Sequence, residues 1–156
     1  NHDPRSLSTG KIGTTQIVHG NLVGLTAGDV ITRVGCCFTV VGSGLTLCRV
    51  GIYDVNLNLV ASSASDTTFG TNLGYASLPL SSPFVVPYNG PFYLADLYVG
   101  TTMPTYLAAL GGVISQQSQL PDSNSTFLYW QQTGQADLPA TATPIASLHS
   151  HLYYAQ

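Results

Sequence analysis

Glutamate is absent from this chain of 156 residues, and lysine occurs once, at Lys11. With three arginines (Arg5, Arg33, Arg49) and seven aspartates, charged residues make up 7% of the sequence and the net charge is −3. So little positive charge excludes a nucleic-acid groove, because no patch or stripe of cations exists to displace counterions from phosphates. The missing Glu/Lys partners argue against long solvent-facing helices, whose exposed faces use i,i+4 ion pairs. Paired carboxylates for hydrolysis are also lacking, since the aspartates sit mostly in turn contexts where Asp caps the backbone. No apolar run reaches the roughly 18 residues of a membrane-spanning helix, and no signal-peptide pattern is present. There is no G-x-S-x-G elbow and no C-x-x-C metal spacing. Catalysis, a cofactor, a metal site, nucleic-acid binding and membrane insertion are therefore not expected.

What the chain has instead is Ser, Thr, Asn, Gln and Gly, a composition of β-rich extracellular or virion proteins. So small a net charge sets up little repulsion between copies, and association into a larger assembly is expected. The length fits one domain, which buries roughly 68 to 70% of the surface of its unfolded form. Asn1-His2-Asp3-Pro4 reads as internal sequence, so the chain is expected to be a processed product or a piece of something longer. Three cysteines leave one over in any pairing. Cys36 and Cys37 are adjacent and point to opposite faces of a strand, while Cys48 approaches Cys37 only if the register places them opposite. Buried thiols acting as small hydrophobes are the favoured reading.

The stretch from Val34 to Asp54 looks like the centre of the fold. Two runs rich in β-branched and aromatic residues flank Gly42-Ser43-Gly44, and the glycines predict a tight β-hairpin clamped between two sheets. Residues 1–14 are polar and read as a flexible arm or linker, leaving 15–156 as the domain. Further strands are expected at Thr15 to Val18, Val30 to Arg33, Val55 to Ser62, Tyr75 to Leu80, Phe84 to Pro87, Phe92 to Val99, Phe127 to Gln132 and Leu148 to Ala155. In Phe92 to Val99, Tyr93, Ala95, Leu97 and Val99 share one face, and Phe92, Leu94, Asp96 and Tyr98 the other. Prolines at 79, 83 and 87 confine their strands to edges or sheet crossings. Met103 to Val113 reads as strand or loop rather than a helical turn, because Gly111-Gly112 closes it, and Ser115 to Ser125 as a long polar loop. Short strands with Gly/Pro punctuation and no helical period predict an all-β, antiparallel, jelly-roll-like sandwich.

Four landmarks stand in a particular order: Gly24-Leu25-Thr26-Ala27-Gly28-Asp29; Gly51-Ile52-Tyr53-Asp54 with Leu59-Val60-Ala61-Ser62; Leu80-Ser81-Ser82-Pro83-Phe84-Val85-Val86-Pro87; and Gly90-Pro91-Phe92-Tyr93. Over roughly residues 21 to 155 this order resembles a β-sandwich module of minor tail proteins and tail fibres of tailed bacteriophages. The polar insert at Ser115 to Ser125 and the cysteine pair depart from that pattern. The resemblance implies a virion structural protein without a cofactor, contributing to particle assembly and host-surface adhesion. Its partners would be other copies, as a homotrimer, other virion proteins and a host-surface glycan. A carbohydrate-binding module without catalysis and a capsid decoration protein are the alternatives.

For a glycan, Phe69, Tyr75, Tyr88, Tyr106, Tyr129 and Trp130 are the aromatic pool, and Trp130 with Gln131, Gln132 and Asp122 is the best local candidate. The reading favoured over it puts the lone tryptophan in the core of the β-domain. His149 and His151 share a strand face and form a possible metal pair, with Asp137 or His2 as third ligand. No spacing fixes that third ligand, so packing on a half-exposed face is favoured. Asp96, mid-strand, is expected to pair with Arg49 or Arg33 or to face solvent. Asn124-Ser125-Thr126 fits the glycosylation sequon, which matters only in a eukaryotic secretory pathway.

Overall fold

The computed structural model describes residues 7–12, 14–110, 129–146, 149–151 and 153–155. Strands dominate, as the runs of Val, Ile, Thr and Tyr dictate, and among the described residues the sole helical element is a 3-10 turn at Phe69–Thr71. The strands are β1 (Leu7–Ile12), β2 (Ile17–Leu25), β3 (Val30–Val40), β4 (Ser43–Tyr53), β5 (Leu59–Ser62), β6 (Gly74–Val85), β7 (Gly90–Thr102), β8 (Thr105–Leu110), β9 (Tyr129–Gln132), β10 (Ile145–Ala146), β11 (His149–His151) and β12 (Tyr153–Ala155).

Two antiparallel sheets pack face to face. In sheet A, β1 pairs β8, β8 pairs β3 and β3 pairs β6, with β11 beside β8 and β12 beside β3. Sheet B runs β10-β9-β2-β7-β4-β5. Across both sheets the pairing is nested: β4 with β5, β3 with β6, β2 with β7 and β1 with β8. This is the winding of a jelly roll, a long folded-back ribbon wrapped around a core. The expected all-β sandwich is the observed architecture.

The hairpin predicted at Val34 to Asp54 is not formed. β3 belongs to sheet A and β4 to sheet B, so Gly42-Ser43-Gly44 carries the chain across the sandwich instead of turning it back on itself. A short glycine link serves either purpose, and here the strands meet through side chains across the core rather than through backbone hydrogen bonds. Gly42 is needed because the link is crowded: a Cβ there would lie 2.8 Å from the Thr102 carbonyl oxygen, while its N–H donates to the Gly70 carbonyl at 2.8 Å. The true hairpin is β4–β5. Its turn is shaped by Asp54, whose Oδ1 accepts the N–H groups of Asn56 and Asn58, both at 2.9 Å. Within the stretch read as an arm, Leu7–Ile12 is a strand paired with β8.

Between the sheets, Val34, Cys36 and Phe38 of β3 meet Cys48, Val50 and Ile52 of β4 and Phe92, Leu94 and Tyr98 of β7. The other face of sheet B is buried too. Val18, Tyr53, Tyr93, Ala95 and Leu97 form a second cluster beneath Trp130, Leu138 and Ala142. Residues 135–142 cross this face as a strap. Leu59 N–H donates to Ala140, Ala142 N–H to Leu57 and Gln135 N–H to Gln16, the Tyr53 hydroxyl donates to the Pro139 carbonyl at 2.9 Å, and Arg49 Nη1 reaches both Asp137 oxygens at 2.9 and 3.0 Å.

The strap layer depends on one small residue. Gly20 on β2 pairs with Trp130 on β9, and a Cβ at Gly20 would overlap the indole. Gly20→Ala is therefore expected to cost about 1–3 kcal/mol, read as a lower urea midpoint with altered tryptophan fluorescence. An unchanged midpoint would mean the indole does not sit over Gly20.

Candidate functional site

Among the described residues, no strap crosses the outer face of sheet A. Because Val34, Cys36 and Phe38 point inward, strand alternation turns Arg33, Gly35, Cys37 and Thr39 outward. They lie beside Pro79, Ser77 and Tyr75 of β6, in the register Arg33 with Pro79, Gly35 with Ser77 and Cys37 with Tyr75. Arg33 leans one position along β6: Nε donates to Ser77 Oγ at 2.8 Å and Nη2 to the Ser77 carbonyl at 2.7 Å. Among the described residues it has no carboxylate partner, the ion pairs being His19–Asp96 and Arg49–Asp137. Tyr75, next outward position on β6, is 72% exposed.

The chemistry-bearing groups of the interior form a second constellation. Asp96 on β7 stands directly across from His19 on β2, with Nδ1 3.7 Å from Oδ1 and both side chains buried. Tyr106 sets its ring edge-on to Tyr98 at 5.6 Å and lies 6.5 Å from the His19 ring. The Tyr98 hydroxyl lies 3.6 Å from Cys36 Sγ. Burial, reinforced by the negative charge of Asp96, pushes the Cys36 thiol well above its ordinary value, and burial likewise raises Tyr98. A thiol held protonated is a poor nucleophile, and Cys36, Tyr98, Asp96 and Tyr106 are all enclosed between the two sheets.

The sequence-predicted residues distribute unevenly. Trp130 is 1% exposed, edge-on to Tyr53 at 5.4 Å and Tyr93 at 6.1 Å, so the proposed sugar platform there is corrected to core. The strap and Gly20 together make the pocket that holds it. Gln132 Oε1 accepts the Thr143 N–H at 2.7 Å, Gln131 is half-buried, and Asp122 lies outside the described residues, as do His2 and the sequon at 124–126. Of the other aromatics, Phe69, Tyr106 and Tyr129 are buried and Tyr88 stacks on Phe92 at 5.0 Å, leaving Tyr75 the most open. His149 and His151 lie on β11 beside β8, and Asp137, offered as their third ligand, is bound to Arg49. Asp96 faces neither arginine; its partner is His19, which the expected strand ending at Val18 stopped one residue short of. The cysteines are all thiols, with Cys36 and Cys48 buried on opposite sheets and Cys37 half-buried. The Arg33–Ser77 link was missed altogether, because it exists only through the β3–β6 register.

Searches of protein families, curated proteins and solved structures find no match to this chain.

Two outcomes follow from the thiols. At pH 8, Cys37 is expected to react promptly with an aromatic disulfide reagent while Cys36 and Cys48 wait for unfolding; equal rates for all three would contradict the burial pattern. Burial pushes Cys48 from an ordinary 9.0 up to about 11. A folded-state value above the unfolded one gives stability that is complete below pH 9 and lost as pH rises toward 11. The denaturation midpoint is therefore expected to fall over that window, and Cys48→Ala to flatten the fall.

Proposed function

We propose that this chain is a non-catalytic jelly-roll module of a virion, in a tail fibre or minor tail protein, that works by packing against copies of itself and touching the host surface. The observation that carries the reading is the unequal covering of the two sheets by the described residues. Sheet B is closed by its own strap, whereas sheet A presents Val30 and Val85, a cross-strand pair 53% and 59% exposed, with Tyr88 three residues further on. An apolar pair on a nearly uncharged surface gains by meeting its like, at roughly 25 cal/mol per Å² buried, with little charge repulsion to oppose contact. The interior position of His19 and Asp96 supports a structural rather than catalytic use of the polar groups. The ordered motifs from Gly24 to Tyr93 favour the tail setting, and a jelly roll is a fold that both capsid and lectin domains use.

Equilibrium sedimentation at micromolar concentrations is expected to give a trimer, and the paired change Val30→Asp with Val85→Asp a folded monomer. A wild-type chain that stays monomeric throughout that range would refute the assembly role.

A further inference from the structure

We infer that Asn89 is a self-modification site: in the folded chain its side-chain amide is displaced by the backbone nitrogen of Gly90, with the N–H of Ala27 assisting, to leave aspartyl and isoaspartyl forms. The inference goes beyond the assembly reading and does not rest on it.

The sequence supplies the reacting pair. Asn89 is the one asparagine of the chain followed by glycine, whereas Asn21, Asn56, Asn58 and Asn72 each precede leucine. A side chain on the following residue crowds the backbone nitrogen as it closes on the asparagine carbonyl carbon, and glycine leaves that approach clear. Backbone conformation does not demand a glycine here, since Gly90 is not among those of positive φ. A Cβ on it would meet only the Tyr88 ring, 3.3 Å away at Cδ2 and Cε2. Asn89 itself is exposed, in the bend that opens β7, so water reaches it.

The fold supplies the assistance. Asp29 N–H donates to the Thr26 carbonyl at 3.1 Å and Gly28 has a φ of 91°, which makes Thr26 to Asp29 a type II turn with Ala27 at its second position. The Ala27 N–H donates to Asn89 Oδ1 at 2.7 Å. Two further bonds hold the turn against this segment, Gly28 N–H to the Val86 carbonyl and Val86 N–H to the Asp29 carbonyl, both at 2.9 Å. The donor is therefore fixed in advance and aimed at the oxygen on which negative charge collects as the amide carbon becomes tetrahedral, which is the arrangement of an oxyanion hole.

In the reaction the Gly90 nitrogen gives its proton to hydroxide and bonds to Asn89 Cγ. The tetrahedral carbon then collapses, the Cγ–Nδ2 bond breaks, and the nitrogen takes a proton from water and leaves as ammonia. Water opens the five-membered succinimide at either carbonyl. Attack at Cγ gives aspartate, and attack at the main-chain carbonyl gives isoaspartate, whose backbone runs on through Cβ and Cγ. Either product puts a carboxylate where a neutral amide stood, adding one negative charge to a chain of net charge −3, at the end of the sandwich that carries Asp29, Val30 and Val85.

The test is incubation of the intact chain in mildly alkaline buffer, read by peptide mass mapping and enzymatic isoaspartate labelling, neither of which depends on oligomeric state. Asn89 is expected to convert at least about tenfold faster than Asn21, Asn56, Asn58 or Asn72. Gly90→Ala should slow that conversion about tenfold. Ala27→Pro isolates the assistance, because proline suits the second position of a type II turn and has no N–H to donate; it should also slow Asn89 about tenfold, while Ala27→Ser, which keeps the donor, leaves the rate unchanged. The comparison among the wild-type asparagines stands whether or not a variant folds. Conversion of Asn89 no faster than that of the other four, or an Ala27→Pro rate equal to or above that of the wild type, overturns the inference.

Discussion

Burial of β7 on both faces is the constraint that organises this molecule. From Phe92 to Tyr98 every side chain is enclosed, and a strand with apolar groups on both sides requires a cover on each. Sheet A supplies one, and residues 135–142 with Trp130 supply the other. The glycines at 20 and 51 follow from this second cover: a Cβ at Gly51 would come 2.9 Å from Leu138 Cδ1, and Gly20 makes room for the indole. Small residues under the strap let large ones sit in it.

The same constraint explains where the polar groups stand. Asp96 alternates onto the inner face of β7 with Leu94 and Tyr98, so its carboxylate is committed to the core, and the register sets a residue of the neighbouring strand directly across from it. His19 is that residue. Buried polar groups retained in this way tend to specify one arrangement of strands over its neighbours, since sliding β2 by one residue would put His19 on the strap side and leave Asp96 facing Val18 or Gly20. Among the described residues sheet A has no comparable second cover, and Arg33 on its outer face is held by Ser77 of the neighbouring strand.

How much of this was legible depended on range. The two faces of Phe92 to Val99 follow from alternation alone and stand as read. Aspartates in turn contexts are likewise a local feature, and Asp54 shapes its turn as that pattern implies. Pro79 and Pro83 marked β6 as an edge strand; among the described residues its one ladder is with β3, with a single further bridge from Leu80 to Ser63. The glycine link at 42–44 misled because a turn within one sheet and a crossing between two use the same residues; the choice was made by β6 and β12, which occupy both edges of β3. Trp130 was open to two readings, core because a lone tryptophan in a β-domain is more often buried and platform because polar residues follow it, and its burial is decided by Gly20 and Leu138 far away in sequence. Arg33 with Ser77, and Asp96 with His19, are contacts of register, and no local pattern announces them.

The nested pairing has a consequence for how the chain reaches this state. Tyr53 meets Leu59 across a short turn, Phe38 meets Gly74 across a longer one, Leu25 meets Gly90 across a longer one still, and Ile12 meets Thr105 last. Each closure costs more chain entropy than the one before, so the ribbon zips outward from Asp54 and the outermost strand joins an edge already built. Topologies dominated by such distant contacts fold in about milliseconds to seconds, and until β1 docks, β8 keeps an open edge through which copies of the chain can meet during synthesis.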